Sequence, residues 1–311
     1  MEKKKILIVG SANMDLFINM YKMPEKGETL TDDGGVAYMP GGKSANSAVG
    51  FARLGSESIL CAKVGKDLHG QKLYQYYKEL GINTSYIKVD PDNPTGLAVV
   101  MRENDGTNRI VVYPGANEHL SLDNIADAFS TNPDAVYLGF EIPFSTALAC
   151  AKMAASRGIP VFVDAAPANK EYPLENLPEV EVFSPNETET LEYTGILPQG
   201  ADSSLRAALA LYRRVKCKYL VIKQGARGAF IYDGKHYFFI PAMRAGNVVD
   251  TTGAGDCFTA AMVHEYLKTK DIKGAVKYGI AASAIAVTRR GAAASMPTEA
   301  EVLQVLYSDQ F

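Results

Sequence analysis

Asp250-Thr251-Thr252-Gly253-Ala254-Gly255-Asp256 sets two glycines where the chain turns from an extended run into a helix. Asn247-Val248-Val249 before it reads as a short strand. Cys257-Phe258-Thr259-Ala260-Ala261-Met262-Val263 after it opens a helical pattern. Gly253 and Gly255 carry no Cβ, so the backbone can approach a ligand closely. A helix start also offers unpaired N–H groups and a positive dipole end, which suits an anion. Asp256 then lies beside the anion. The stretch reads in two ways. In one, Asp256 takes a proton from a group that attacks the anion. In the other, this is a glycine turn and Asp256 caps the helix, a position Asp favours. The seven residues by themselves leave both open.

A second glycine turn opens a helix near the start of the chain. Gly41-Gly42-Lys43-Ser44-Ala45-Asn46 leads into an apolar run that Gly55 stops. Asn46 falls in the first turn, where its amide can face the same ligand. Ahead of this, Lys5 to Val9 is a continuous apolar run, as in a buried parallel strand. Gly10-Ser11-Ala12-Asn13-Met14-Asp15 follows it, and ligands of open α/β sheets bind beyond strand carboxyl ends. A dinucleotide fingerprint would need more glycines than Gly10 supplies. Further strand–loop junctions carry Glu141, Ser184-Pro185-Asn186-Glu187 and Lys223-Gln224-Gly225.

Strand and helix patterns alternate with short connections, which predicts an α/β fold: one doubly wound, mostly parallel sheet flanked by helices. Helices are predicted over 144–157, 254–268, 272–288 and 298–308. Residues 15–40 and 95–115 break the alternation. Gly96–Met101 and Arg109–Tyr113 flank Asn104-Asp105-Gly106-Thr107, a hairpin signal. These two segments predict a small antiparallel β lid on a single domain spanning 1–311.

The composition excludes several classes. The 311 residues are 47% hydrophobic and 22% charged, as in an ordinary globule with a sizeable core. A net charge of -3 with no basic stripe argues against nucleic acid. No apolar run approaches about 18 residues, so no membrane helix is expected. The apolar run after Lys3-Lys4-Lys5 is too short for a secretory leader, and a cytoplasmic protein is expected. Four separated cysteines and four scattered histidines give no disulfide frame or zinc spacing.

The motifs resemble those of the ribokinase-like, or PfkB, carbohydrate kinases. Asp250–Asp256 looks like that family's signature, Gly41–Asn46 is similar to its N-terminal signature, and Ser184-Pro185-Asn186-Glu187-Thr188-Glu189 resembles its N-x-x-E motif. The likeness runs from about residue 5 to about residue 300, and is strongest to ribose-phosphorylating members through Gly10–Asp15, Glu141-Ile142-Pro143, Ala166-Pro167-Ala168 and Ala284–Gly291.

The resemblance implies transfer of the γ-phosphoryl of ATP to a sugar hydroxyl, the 5-hydroxyl of D-ribose being foremost. Asp256 would be the base, and the amides of Gly253, Ala254 and Gly255 would form the anion hole. Asn13, Asp15, Gly41, Gly42, Lys43, Asn46 and Glu141 would bind the sugar. Asn186, Lys223, Gly225, Gly228, Gly255 and Ile280 would line the nucleotide. Asn186 and Glu189 would reach Mg²⁺ through water. Asp250, Thr252, Ala286, Arg289, Gly291 and Ser295 would hold K⁺, with a solvated helix end as the competing reading of Arg289-Arg290. The lid would close over the sugar and pair with a second subunit, giving a homodimer.

Three residues depart from the family pattern. Ser44 replaces a glycine, with either a changed loop or an added pocket hydroxyl in view. Asp164 stands where Asn is common, and Lys223 where Thr is common. A same-family kinase for fructose, deoxyribose or a nucleoside is the alternative enzyme, and a noncatalytic sugar-binding sensor the alternative class.

Overall fold

The apolar run at the start of the chain becomes the strand β1 (Lys5–Val9), four of whose five residues are buried. A computed structural model describes residues 3–104 and 107–308. The remaining strands are β2 (Asn13–Met20), β3 (Val36–Gly41), β4 (Glu57–Gly65), β5 (Ile87–Asp90), β6 (Gly96–Glu103), β7 (Asn108–Tyr113), β8 (Ala135–Gly139), β9 (Val161–Asp164), β10 (Val180–Ser184), β11 (Cys217–Lys223), β12 (Gly228–Tyr232) and β13 (Tyr237–Pro241). The helices are α1 (Lys43–Arg53), α2 (Leu68–Glu79), α3 (Leu122–Ala126), α4 (Phe144–Ser156), α5 (Glu187–Thr194), α6 (Ala201–Tyr212), α7 (Ala254–Thr269), α8 (Ile272–Ala286) and α9 (Glu299–Ser308).

Nine strands form the main sheet in the order β13-β12-β11-β10-β9-β8-β1-β4-β5. All its pairings are parallel except those of β12 with β11 and with β13. Successive strand residues face opposite ways. Ile6 and Ile8 accordingly join a core built with α1, α7 and α8, while Leu7 and Val9 join a second core with α4 and α6. Helices thus cover both faces, as near-continuous apolar strands require. The parallel strands all end at one edge, where Gly10, Asp164, Ser184 and Lys223 come together. No helix among the described residues is long and apolar enough to cross a membrane.

The lid is a separate four-stranded sheet, β3-β2-β6-β7. β2–β3 and β6–β7 are antiparallel, and the central pairing β2–β6 is parallel. Asp105 and Gly106, the predicted hairpin turn, lie outside the described residues.

Several local expectations need correction. Asn247–Val249 is not a strand; Val248 and Val249 are exposed, and the N–H of Val249 donates to the Val287 carbonyl. Val36–Gly41, expected to be irregular because of Pro40 and the glycines around it, pairs along β2 as a strand, and the Gly41-Gly42 turn opens α1 as expected. β5, β12, β13 and α6 were not anticipated.

α1 packs against α7 in the core on one face of the sheet. Phe51 is fully buried and packs edge-on against Tyr137 of β8. Phe51→Ala removes this ring from a site with no free volume around it, and is expected to cost about 3–5 kcal/mol of unfolding free energy. Urea denaturation checks this through a lower midpoint at unchanged slope.

Candidate active site

The first turn of α7 is the centre of the site. Gly253 precedes α7 with φ +75°, and a Cβ there would lie 2.8 Å from Ala292 Cα, so only glycine fits this turn. Gly253, Ala254 and Gly255 are partly exposed, whereas Asp256 is buried at 6% exposure. Asp256 is the third residue of the helix and not its cap, since Gly253 holds that place. Its Oδ2 accepts from Asn46 Nδ2 at 2.8 Å, and Asn46 comes from the first turns of α1. Burial raises the Asp256 pKa; nearby Lys43 pulls it down, Asp164 pushes it up, the Asn46 hydrogen bond pulls it down and Glu141 pushes it up. The Lys43 ammonium is held above its ordinary value, mainly by Asp256 and then by Glu141, against burial. A buried carboxylate of raised basicity beside a partly exposed helix start can accept a proton while that helix start holds an anion; the Ala254 N–H donates to the Thr251 carbonyl at 3.2 Å.

The residues expected to bind the sugar converge from the lid and the edge of the sheet. Asn13 and Gly41 are register partners across β2 and β3. Asn13 Oδ1 accepts from Asn117 Nδ2 at 2.7 Å, so one end of its amide is fixed. A Cβ on Gly41 would lie 2.0 Å from Asp15 Oδ2; the missing side chain makes room for this carboxylate. Asp15 Oδ1 is buried without a hydrogen-bond partner. Such an orphaned acceptor invites a ligand hydroxyl. Burial, reinforced by Glu141 and Asp256 and opposed by Lys43, raises the Asp15 pKa to about 7. Glu141 Oε2 accepts from Ser11 Oγ and, at 3.0 Å, from the Lys43 backbone N–H. It therefore also fixes the turn into α1. Gly42 carries φ +87° immediately before Lys43.

Ser44 adds nothing to the pocket. It is fully buried, 3.5 Å from the Val9 carbonyl, with its hydroxyl lying over Gly10 and Gly139. The departure from glycine is absorbed beneath the loop, where two glycines leave space.

Among the residues expected to line the nucleotide, Asn186 caps α5. Its Oδ1 accepts from Glu189 N at 2.8 Å, while Glu189 Oε2 accepts from Asn186 N at 2.7 Å and Oε1 from Asn186 Nδ2 at 2.8 Å. This is a reciprocal capping box, and it fixes both side chains at the sheet edge. Burial raises the Glu189 pKa, Lys223 lowers it and Asp164 raises it. Lys223 N donates to Pro185 O at 2.8 Å, so β11 ends beside Asn186. Gly225 is exposed with Glu187 alongside, and Gly228 packs tightly on Ile240 of β13. Ile280 is buried in the α8 core.

The predicted cation residues fall on two adjoining turns. Asp250 Oδ1 accepts from Thr252 N at 3.0 Å and Thr252 Oγ1 at 2.7 Å. Its Oδ2 accepts from Gly291 N at 3.1 Å and Arg102 Nη2 at 3.4 Å. Ser295 Oγ donates to Ala292 O at 2.8 Å, and the Ala286 carbonyl accepts from Arg289 N at 3.0 Å. The Arg289 side chain reaches Glu301 of α9 and not the pocket.

Four contributors escaped the sequence reading: Ser11, Asn117, Arg102 and Asp164 as a partner of Lys223. Ser11 lay inside a loop already singled out. Asn117 follows the lid strand β7 in a polar turn, a weak signal. Arg102 had no signal, since its partner is 148 residues away.

The pfkB family carbohydrate kinase model matches residues 3–299. A ribokinase of Arabidopsis thaliana is 32% identical over 97% of this chain and 80% of its own length. The Arabidopsis ribokinase structure with ribose and ATP superposes with a TM-score of 0.87 at 31% identity, covering 98% of this chain and 99% of that one. A deoxyribokinase of Salmonella typhi is 30% identical over 94% of this chain and 95% of its own. A nucleoside kinase of Methanocaldococcus jannaschii superposes with a TM-score of 0.80 at 26% identity, covering 98% of both chains. The chain belongs to the pfkB family of carbohydrate kinases.

Proposed function

We propose that this chain transfers the γ-phosphoryl of ATP to the 5-hydroxyl of D-ribose, with Asp256 as base and the Gly253, Ala254 and Gly255 amides as anion hole. The observation that carries this reading is the buried Asp256 carboxylate, steadied by Asn46, in the same helical turn as the partly exposed Gly253, Ala254 and Gly255. The sugar proton goes to Asp256 as its oxygen attacks the phosphorus and the bond to the ADP oxygen breaks. Asn13, Asp15, Gly41, Gly42, Lys43, Asn46 and Glu141 bind the sugar, and the orphaned Asp15 oxygen supports an acceptor role toward a hydroxyl. Ribose and ATP are also the ligands of the similar Arabidopsis structure. Fructose, deoxyribose or a nucleoside is the second reading, favoured by the deoxyribokinase and nucleoside kinase relatives.

Asn186, Lys223, Gly225, Gly228, Gly255 and Ile280 serve the nucleotide in this reading. Mg²⁺ supplies charge neutralisation between the phosphates. Asn186 and Glu189 suit water-mediated contact with it, because their side chains are already bonded to each other. K⁺ at Asp250, Thr252, Ala286, Arg289, Gly291 and Ser295 would draw mainly on backbone carbonyls, because four donors already meet the Asp250 carboxylate. The reading takes 1–311 as one kinase domain with lid segments 15–40 and 95–115. A cytoplasmic setting is supported by four buried free thiols. Homodimerisation through the lid is supported by the exposed apolar residues Val36, Tyr38, Ile110, Val111 and Val112.

Asp256→Asn is expected to lower kcat for ribose by about 10²–10⁴-fold while ribose binding by calorimetry persists. Unchanged turnover would remove Asp256 from the base role. An ionised Asp15 accepts sugar hydroxyls better than a protonated one. Since its pKa stands near about 7, KM for the sugar should fall as pH rises from about 6 to about 8. The Asp15→Asn variant should lose this dependence; an equal slope in both would assign it elsewhere. Light scattering at micromolar concentration should give a dimer mass, and Val111→Lys should shift it to monomer.

A further inference from the structure

Lys223 and Asp164 form a buried ion pair at the carboxyl edge of the sheet. Their side chains are 10% and 3% exposed, and Lys223 Nζ lies 2.9 Å from Asp164 Oδ1. The residues end β11 and β9, with β10 between them. Asp164 Oδ2 accepts from Thr259 Oγ1 at 2.9 Å and from Tyr137 OH at 3.2 Å. Thr259 Oγ1 also lies 3.0 Å from the Gly255 carbonyl and 3.4 Å from Lys223 Nζ. The pair is thereby fastened to the first turns of α7. A Cβ built on Gly255 would lie 3.7 Å from Lys223 Nζ, so the ammonium borders the turn whose amides form the anion hole.

The pair is an expensive way to fill this space. Two buried charges lose their hydration, and neutral groups of similar size often stabilise as well. Its charge has a use where it sits. Asp15, Glu141, Asp256 and Glu189 make the surroundings acidic, and Lys43 is engaged mainly by Asp256 and Glu141 on the sugar side. Lys223 is the ammonium on the other side, with its backbone tied to the Asn186 strand end. Among the described residues Nζ donates to Asp164 and Thr259. An ammonium has three donors, so one is left for a ligand.

We propose that Lys223 is a further catalytic residue, donating to the leaving phosphate oxygen of the nucleotide, and that Asp164 is the residue that positions it. This rests on the kinase reading above. As the sugar oxygen bonds to the γ-phosphorus, the bond to the bridging oxygen breaks and its electron pair stays on the ADP side. That oxygen gains negative charge, and the Lys223 ammonium offsets it without giving up a proton. Asp164 keeps the ammonium beside Gly255.

The test compares wild type with Lys223→Met and with the neutral double variant Asp164→Asn/Lys223→Thr. The double variant leaves no unpaired buried charge, so it stays folded even where the single variant does not. Steady-state kinetics with ribose and MgATP are measured alongside thermal melting and ribose calorimetry. The expected result is a double variant with near-native melting and ribose affinity whose kcat is lower by about 10²-fold. Asp164→Asn alone should lower kcat while leaving the sugar KM unchanged, which a loss of folded enzyme would not produce in active-site-titrated samples. Native kcat in the double variant would make the pair structural and overturn the proposal. A wild-type chain that phosphorylates no sugar or nucleoside from ATP would instead strike the kinase reading itself.

Discussion

The hydrogen bond from Asn46 Nδ2 to Asp256 Oδ2 joins residues 210 apart, and the site is assembled around it. Each residue lies in the first turns of a helix that follows a left-handed glycine, Gly42 for α1 and Gly253 for α7. The bond forms only if the two helices pack closely. A Cβ on Gly50 would come within 3.1 Å of Ala260 Cβ, so the small residues between α1 and α7 set their separation. Phe51 and Tyr137 then fix α1 against the sheet. A shift of α1 would carry Asn46, Lys43 and the Gly41-Gly42 turn away from Asp256 together.

Charge in this cleft is arranged by burial as much as by pairing. Asp15 and Asp256 are both raised above the ordinary carboxylate range, with loss of hydration the largest cause in each. Lys43 moves upward despite burial because carboxylates surround it. The cleft is therefore rich in acceptors, while the positive ends of α7 and α5 and the Lys223 ammonium stand along the same edge of the sheet. Asp250 organises the turns ahead of α7 through four hydrogen bonds, one of them from Arg102 of β6. The small sheet and the turn that leads into α7 are thus connected.

Much of the fold is written in local pattern. β1 is a bare apolar run, and α7 follows a glycine turn with helical spacing after it. The strands that went unread have other reasons. β13 alternates exposed and partly buried residues at a sheet edge, where burial imposes little pattern. β3 contains Pro40 and mostly exposed residues, so its strand character depends on β2 lying beside it. Asn247-Val248-Val249 has strand-forming residues but no neighbouring strand to pair with, and stays a loop.

The sequence by itself determined the interactions that close within one turn of chain. Asn186 and Glu189 are three residues apart, so their mutual capping follows from spacing. Gly253 before α7 likewise fixes where the helix start falls relative to Asp256. Partners brought together by strand order were left to the tertiary structure. Asp164 and Lys223 meet across β10, 59 residues apart, and Arg102 meets Asp250 across the lid. Ser44 reads either as a changed loop or as a pocket hydroxyl until the fold turns it onto Gly10 and Gly139. Spacing along a helix fixes which side chains share a face; only packing of the sheet and its helices fixes which faces meet.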